Sequence, residues 1–275
     1  MAGLVNIIRR RGGIHTLHSS EMVILLSFWY VSLCHWPQKT LLKMHRIDVS
    51  GSFLFDSAPF FPLPLHLLTH IPNTMPTSPT LEKWNIVFPD SSDITDFLCQ
   101  AANLTNYIEN RAVTSKIWKD DYFVSRTFNG VVHQLLSLER RSFGGMEKSA
   151  FSPEFVMREA IRQVCLLLFG LLRDKFSVRP SGIQQHKNKV EELLLRHKIE
   201  WSGFLDLQLW VLLTASLAAE HQETLWYITE MKAIMVQMGL SGWDEIVGAA
   251  KNVLWMGESF KIRIDELKEV FEGSA

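Results

Sequence analysis

The sequence predicts an all-α protein, a bundle or array of about eight to ten helices, and three observations carry that reading. Apolar residues recur at three- and four-residue spacing through most of the 275 residues. No segment with strand period runs longer than about five residues without reading better as helix. Glycine, proline and serine punctuate the ends of the periodic stretches where helix starts and stops require them. Apolar residues make up 47% and charged residues 21%, a globular balance with enough length to bury a sizeable core.

The elements follow in order. Ala2 to Arg10 reads as a short helix with Leu4, Ile7 and Ile8 on one face, stopped by Gly12 and Gly13. Glu21 to His35 reads as a second, largely buried helix, so the two form a hairpin. Residues 36 to 79 hold seven of the ten prolines and are expected to form a long irregular connection, with at most a short helix around Leu65 to Thr69. Helices resume at Asp93 to Trp118 and Tyr122 to Arg140. Ser152 and Pro153 mark a start, serine as N-cap and proline in the first turn, for a helix running to about Phe176. A polar helix follows from Gln184 to His197.

The last third is the most regular. Leu205 to Glu220 is apolar on nearly all sides and is expected at the centre. His221 to Met238 places Leu225, Ile228, Met231, Met235 and Met238 on one face, and Gly239 fits a C-cap. Ser241 with Asp244 suits a capping box for a helix that buries Trp243, Ile246, Val247, Ala250 and Leu254. Ile262 to Phe271 closes the chain. A hairpin alone buries too little to stand as a domain, so residues 1–275 are expected to form one.

Function classes narrow by chemistry. The net charge of -1 provides no global field for nucleic acid or anionic membrane. Val23 to Cys34 is too short to span a bilayer, and Phe204 to Ala219 contains Asp206 and Gln208. Arg9, Arg10 and Arg11 interrupt the N-terminus before any apolar run, unlike a signal peptide. Cys34, Cys99 and Cys165 lie too far apart for a structural zinc site and suit reduced, buried thiols. The sequon at Asn103 carries no weight without a secretory signal.

His66 and His70 share a helical spacing, with His45 the nearest addition, but lack the third and fourth ligands a metal needs. Gly239 to Gly242 has the wrong glycine spacing and no preceding strand for a nucleophile elbow. Asp120 and Asp121 suit a solvated loop rather than paired acid–base work. No catalytic residue, cofactor or metal is therefore expected. Trp226, Trp243 and Trp255 crowd the C-terminal third, where core packing is the first reading and a ligand cavity between helices the functional one.

Two groups of residues carry a resemblance. Gly3 and Leu4, then Arg11, Gly12, Gly13, Ile14 and Leu17, with a helix ending at Trp29, are followed by Pro59-Phe60-Phe61-Pro62. Near the other end stand Leu209-Trp210, Leu225 to Met235, Gly239-Leu240-Ser241, Trp243 to Ile246 and Leu254-Trp255. Their order resembles the C-terminal regulatory region of fungal zinc-cluster transcription factors, the fungal-specific transcription factor domain.

The resemblance implies an all-α, nuclear, non-catalytic domain that senses a small-molecule effector or a protein partner, and it leaves a homodimer open. It makes Gly12 and Gly13 structural and Trp243 and Trp255 core anchors. The chain departs from the pattern at Val31, where the family often carries aspartate. It also lacks the six-cysteine zinc cluster, so no direct nucleic-acid binding carries over and a truncated or free-standing regulator is implied. The rivals are a helical interaction module, nuclear or cytoplasmic, and an enzyme with a hydrophobic pocket.

Overall fold

A computed structural model describes residues 38–63, 78–140, 152–179, 181–196, 199, 201 and 203–273. Among them lie ten α-helices and no strand, so the all-α expectation holds. The chain divides into two compact units, residues 1–45 and 46–275. Of the first, the described part is the opening of helix α1 (Gln38–Phe55). Helices α2 (Pro79–Val87), α3 (Ser92–Ala112), α4 (Asn129–Ser137) and α5 (Pro153–Lys175) follow. Helices α6 (Ile183–Arg196), α7 (Leu205–Ser216), α8 (His221–Met238), α9 (Trp243–Lys251) and α10 (Lys261–Gly273) complete the order.

Helix α1 corrects the expectation of an irregular stretch from 36 to 79. The prolines bracket it: none lies between Pro37 and Pro59, so the 18-residue helix runs without a proline, tolerating the single glycine at position 51. The hairpin over residues 2–35, the Leu65 to Thr69 helix, His66 and His70 all lie outside the described residues.

Helices α5 and α7 form the centre of the second unit. Helix α5 packs against α3, α4, α6 and α7, and α7 packs in turn on α8 and α9. The sequence explains both. Residues 164 to 170 on α5 are buried without interruption, as are residues 209 to 216 on α7. A helix that is apolar all round finds cover only in the interior. Ser152 caps α5 as expected, its hydroxyl accepting from the Phe155 N–H at 3.3 Å. Helix α4 is entered through one α-turn, Asp121–Phe123, and a π-helical segment, Val124–Phe128, that buries Phe128 against Phe169 and Phe176. Asp120 starts this stretch by accepting from the Phe123 N–H at 2.9 Å, while Asp121 faces solvent.

Two local readings change in the C-terminal third. Leu225 is half exposed, and the inner face of α8 is Tyr227, Ile228, Met231 and Ile234. The capping box sits on this helix rather than the next: the Glu223 carboxylate accepts from the Glu220 N–H at 2.6 Å, and Glu220 caps in return. Helix α9 has Gly242 as its N-cap with no side-chain bond, and the Ser241 N–H instead donates to Glu245 at 2.6 Å. The buried face of α9 is Trp243, Ile246, Ala249 and Ala250; Val247 is only half-buried.

Gly239 ends α8 as expected. Its φ is +69°, and the Leu240 N–H returns to the Met235 carbonyl at 2.9 Å, a 6→1 closure. No neighbouring atom crowds the position, so Gly239→Ala meets only backbone strain. It is expected to cost about 1 kcal/mol and lower Tm by about 2 °C, measured by calorimetry.

Candidate functional site

Two polar constructions stand out from the apolar core, and both lie within the second unit. The first grows from the end of α1. Asp56 adopts φ +47°, and the Ser57 N–H closes on the Ser52 carbonyl at 2.9 Å. Glycine usually fills such a left-handed cap, and aspartate tolerates it. The aspartate brings a carboxylate into the interior at that place. Arg162 on α5 grips it with both terminal nitrogens, Nη1 at 2.7 Å and Nη2 at 2.8 Å. Gln163 donates to it at 2.8 Å, and Lys189 on α6 at 3.0 Å. Arg140, just past α4, donates to the Asp56 backbone carbonyl at 2.7 Å. Glu159 completes the set, accepting from Arg162 at 2.7 and 2.9 Å and from Gln163 at 2.9 Å.

Asp56, Glu159, Arg162 and Gln163 are all buried. Burial pushes the Asp56 carboxyl up, but hydrogen bonds and charge from Arg162, then Gln163 and Lys189, outweigh it and hold the group well below the usual carboxylate range. Burial likewise works against the Arg162 charge, and the bonds to Asp56 and Glu159 raise it above the ordinary guanidinium value. Every terminal nitrogen of Arg162 has an acceptor, which suits a fixed tie between helices rather than a proton carrier. His186, beside Phe53 at 4.6 Å between ring centres, is pushed down to about 4 by burial and is neutral near pH 7.

The second construction is a pocket of about 410 Å³ between α3 and the chain leaving α9. Ala102, Thr105, Asn106 and Glu109 line it from α3; Lys251, Leu254, Trp255, Gly257 and Glu258 line it from the other side. Glu109 fastens the two walls. Its carboxylate accepts from the Glu258 N–H at 2.7 Å, from the Ser259 N–H at 3.0 Å, and from the Ser259 hydroxyl. From below, the Trp210 indole N–H donates to the Leu254 carbonyl at 2.7 Å and fixes the start of that wall. Trp255 is half-buried over the pocket. Gly257 leaves its indole edge uncrowded, since a Cβ there would stand 3.2 Å from Nε1.

The residues singled out in the sequence fall as follows. Arg11, Gly12, Gly13 and Trp29 lie outside the described residues. Trp210 and Trp243 are buried, Trp243 against Phe271 at 5.5 Å between ring centres. Trp255 is packed on the core yet reaches the pocket, which the anchor reading alone does not include. Cys165 is fully buried and Cys99 partly so, and burial raises both thiols. Asn103 is buried and donates to the Cys99 carbonyl at 2.9 Å, so its sequon is closed off in this fold.

Among the described residues no group of three or more histidine, cysteine, aspartate or glutamate side chains is placed to hold a metal ion. Among them, too, no helix is long and apolar enough to cross a membrane. Comparison with known proteins finds no matching family model, no matching curated protein and no matching solved structure.

Proposed function

We propose that this chain is a non-catalytic regulatory domain of the kind found in fungal transcription factors, sensing a small-molecule effector or a protein partner in the nucleus. The observation that supports the reading is where the resemblance-bearing residues lie. Trp210 and Leu254 meet through the indole-to-carbonyl hydrogen bond, and Leu254 and Trp255 line the 410 Å³ pocket. Sites for small molecules commonly occupy such clefts between helices. Glu109, the half-buried carboxylate of the lining, is occupied by three donors, which suits holding a loop rather than moving a proton. The 275 residues hold three cysteines and no six-cysteine cluster, so no DNA contact by the zinc-cluster route is proposed for them.

The experiment is tethering. The chain is fused to an unrelated DNA-binding module and placed at a reporter promoter. Reporter transcription is expected to differ from that of the module alone and to shift with growth medium. A fusion that is nuclear, folded and indistinguishable from the module alone in every medium defeats the proposal. Nuclear exclusion of the tagged chain itself points instead to a free-standing helical interaction module.

A further inference from the structure

The connection from α3 to α4 gathers positive charge that the chain does not spend on itself. Residues 111 to 126 hold four cations, Arg111, Lys116, Lys119 and Arg126, against two carboxylates. Both carboxylates are engaged: Asp120 accepts from the Phe123 N–H at 2.9 Å, and Asp121 lies 4.0 Å from Arg46. Lys175, at the end of α5, adds a further cation, its Nζ 5.6 Å from the centre of the Trp118 ring. Arg111, Lys116, Lys119 and Lys175 are exposed, and none of the four pairs with a carboxylate among the described residues. The stretch is packed into place. Ile117 is buried, Trp118 lies 4.9 Å from Phe176 between ring centres, and Phe123 lies 5.3 Å from Tyr107 and 5.8 Å from Phe176. Apolar surface stands in the same stretch: Val113 is 75% exposed and Tyr122 63%.

We propose that this connection docks an acidic peptide of a partner protein, one that mixes carboxylates with apolar side chains. The carboxylates meet Arg111, Lys116, Lys119 and Lys175, and the apolar side chains cover Val113 and Tyr122. A nucleic acid fits these residues less well. Single strands bind by stacking bases on open aromatic faces. Here each ring already carries a cation of the chain itself: Arg111 lies 3.6 Å over Tyr107, Arg126 5.1 Å over Tyr122, and Lys175 over Trp118. A phosphate backbone also makes no use of an exposed valine. The chain as a whole carries a charge of -1, so the attraction is local to this stretch. Because the stretch is already folded, docking has little ordering to do on this side. The proposal rests on the partner-sensing reading for its biological sense and gives that reading a class of partner.

The test is fluorescence anisotropy of labelled probes titrated with the full chain. One short synthetic peptide alternates aspartate with leucine and phenylalanine. A second replaces the apolar residues by serine, a third replaces the aspartates by lysine, and the fourth probe is single-stranded DNA of similar length. The first peptide is expected to bind about tenfold or more tighter than any other probe, and to weaken severalfold as salt rises from about 50 to about 300 mM. Lys116→Glu combined with Lys119→Glu, both at exposed positions, is expected to weaken it about tenfold with an unchanged melting temperature. Lys116→Arg combined with Lys119→Arg keeps the charge and is expected to bind within about twofold of wild type. Val113→Ser is expected to weaken binding about threefold. The proposal is overturned if the first peptide does not bind, if the serine peptide or the DNA binds as tightly, if binding ignores salt, or if the charge-reversed chain binds like wild type. Should the charge-reversed chain fail to fold, the probe ranking and the salt response of wild type decide. Anisotropy and reporter output are separate readouts: absent binding with a positive reporter removes this surface alone, and the expected ranking with a silent reporter removes the transcriptional reading alone.

Discussion

Replacing Arg162 by alanine is expected to cost about 3–5 kcal/mol of folding stability, measured by urea unfolding at pH 7. The side chain itself is long and its loss leaves space, but the larger effect is electrostatic. Asp56 and Glu159 stay behind in the interior with most of their donors gone. A carboxylate stripped of its partner in a low-dielectric site keeps the cost of leaving water and loses its return. Lys189 and Gln163 still reach Asp56, so the carboxylate is not wholly abandoned, and the loss falls within that range rather than above it. A variant that unfolds within about 1 kcal/mol of wild type contradicts the central place given to this residue.

The same cluster predicts an acid response. The folded Asp56 carboxyl ionises more readily than the unfolded one, whose ordinary value is about 4. Its contribution is therefore present in full above that range and is lost as pH falls through the lower folded value. Asp56→Asn is expected to be less stable than wild type at pH 7 and to lose less on acidification between about pH 5 and pH 2. Parallel curves for the two proteins across that interval contradict the assignment.

Trp210→Ala is the second large effect, also about 3–5 kcal/mol and toward the upper end of that range. The indole is fully buried on α7 and is among the largest such side chains in the molecule. Its removal opens a cavity against α9 and also strands the Leu254 carbonyl that it caps. Trp210→Phe separates the two contributions. It retains a ring in the core but cannot donate, and it is expected to cost about 1–2 kcal/mol. Equal stability of Trp210→Phe and wild type shows that the hydrogen bond is immaterial.

Helix ends set by short-range chemistry were legible in the sequence. Ser152 and Pro153 start α5, and Gly239 stops α8, because each acts on backbone groups within about one turn. The central place of α7 was legible for a similar reason: apolar residues on every side leave a helix only the interior. Helix α1 was hidden by weighing prolines over a whole stretch, although Pro37 and Pro59 merely flank it. The α8 face is rotated from the one that starts at Leu225, because several three- and four-residue rows of apolar residues run along this helix and the packing takes the row with Tyr227 and Ile234. Ser241 is a good cap by type, but the chain around Gly242 presents Glu245 to its N–H instead.

The polar constructions were out of reach for a different reason. Asp56 meets Arg162 across 106 positions, and Glu109 meets Ser259 across 150. Periodicity describes one helix at a time and carries no information about which charged side chain on one helix will face another. One signal was available: an aspartate rather than a glycine in the cap that ends α1, a choice that sacrifices backbone ease for a carboxylate.

That aspartate has a bearing on how the coding sequence can be cut. It lies early in the chain, while the groups it neutralises lie at 140, 162 and 189. A shortened product that started downstream of residue 56 would still make α5 and α6, yet it would bury Arg162 with only Glu159 opposite and leave Arg140 and Lys189 without their shared anion. Alternative splicing, a late start codon or a deletion that removes this aspartate would therefore cost the product more than the contacts of the missing segment itself, and selection has reason to keep the α1 segment in the same reading frame as the helices it serves.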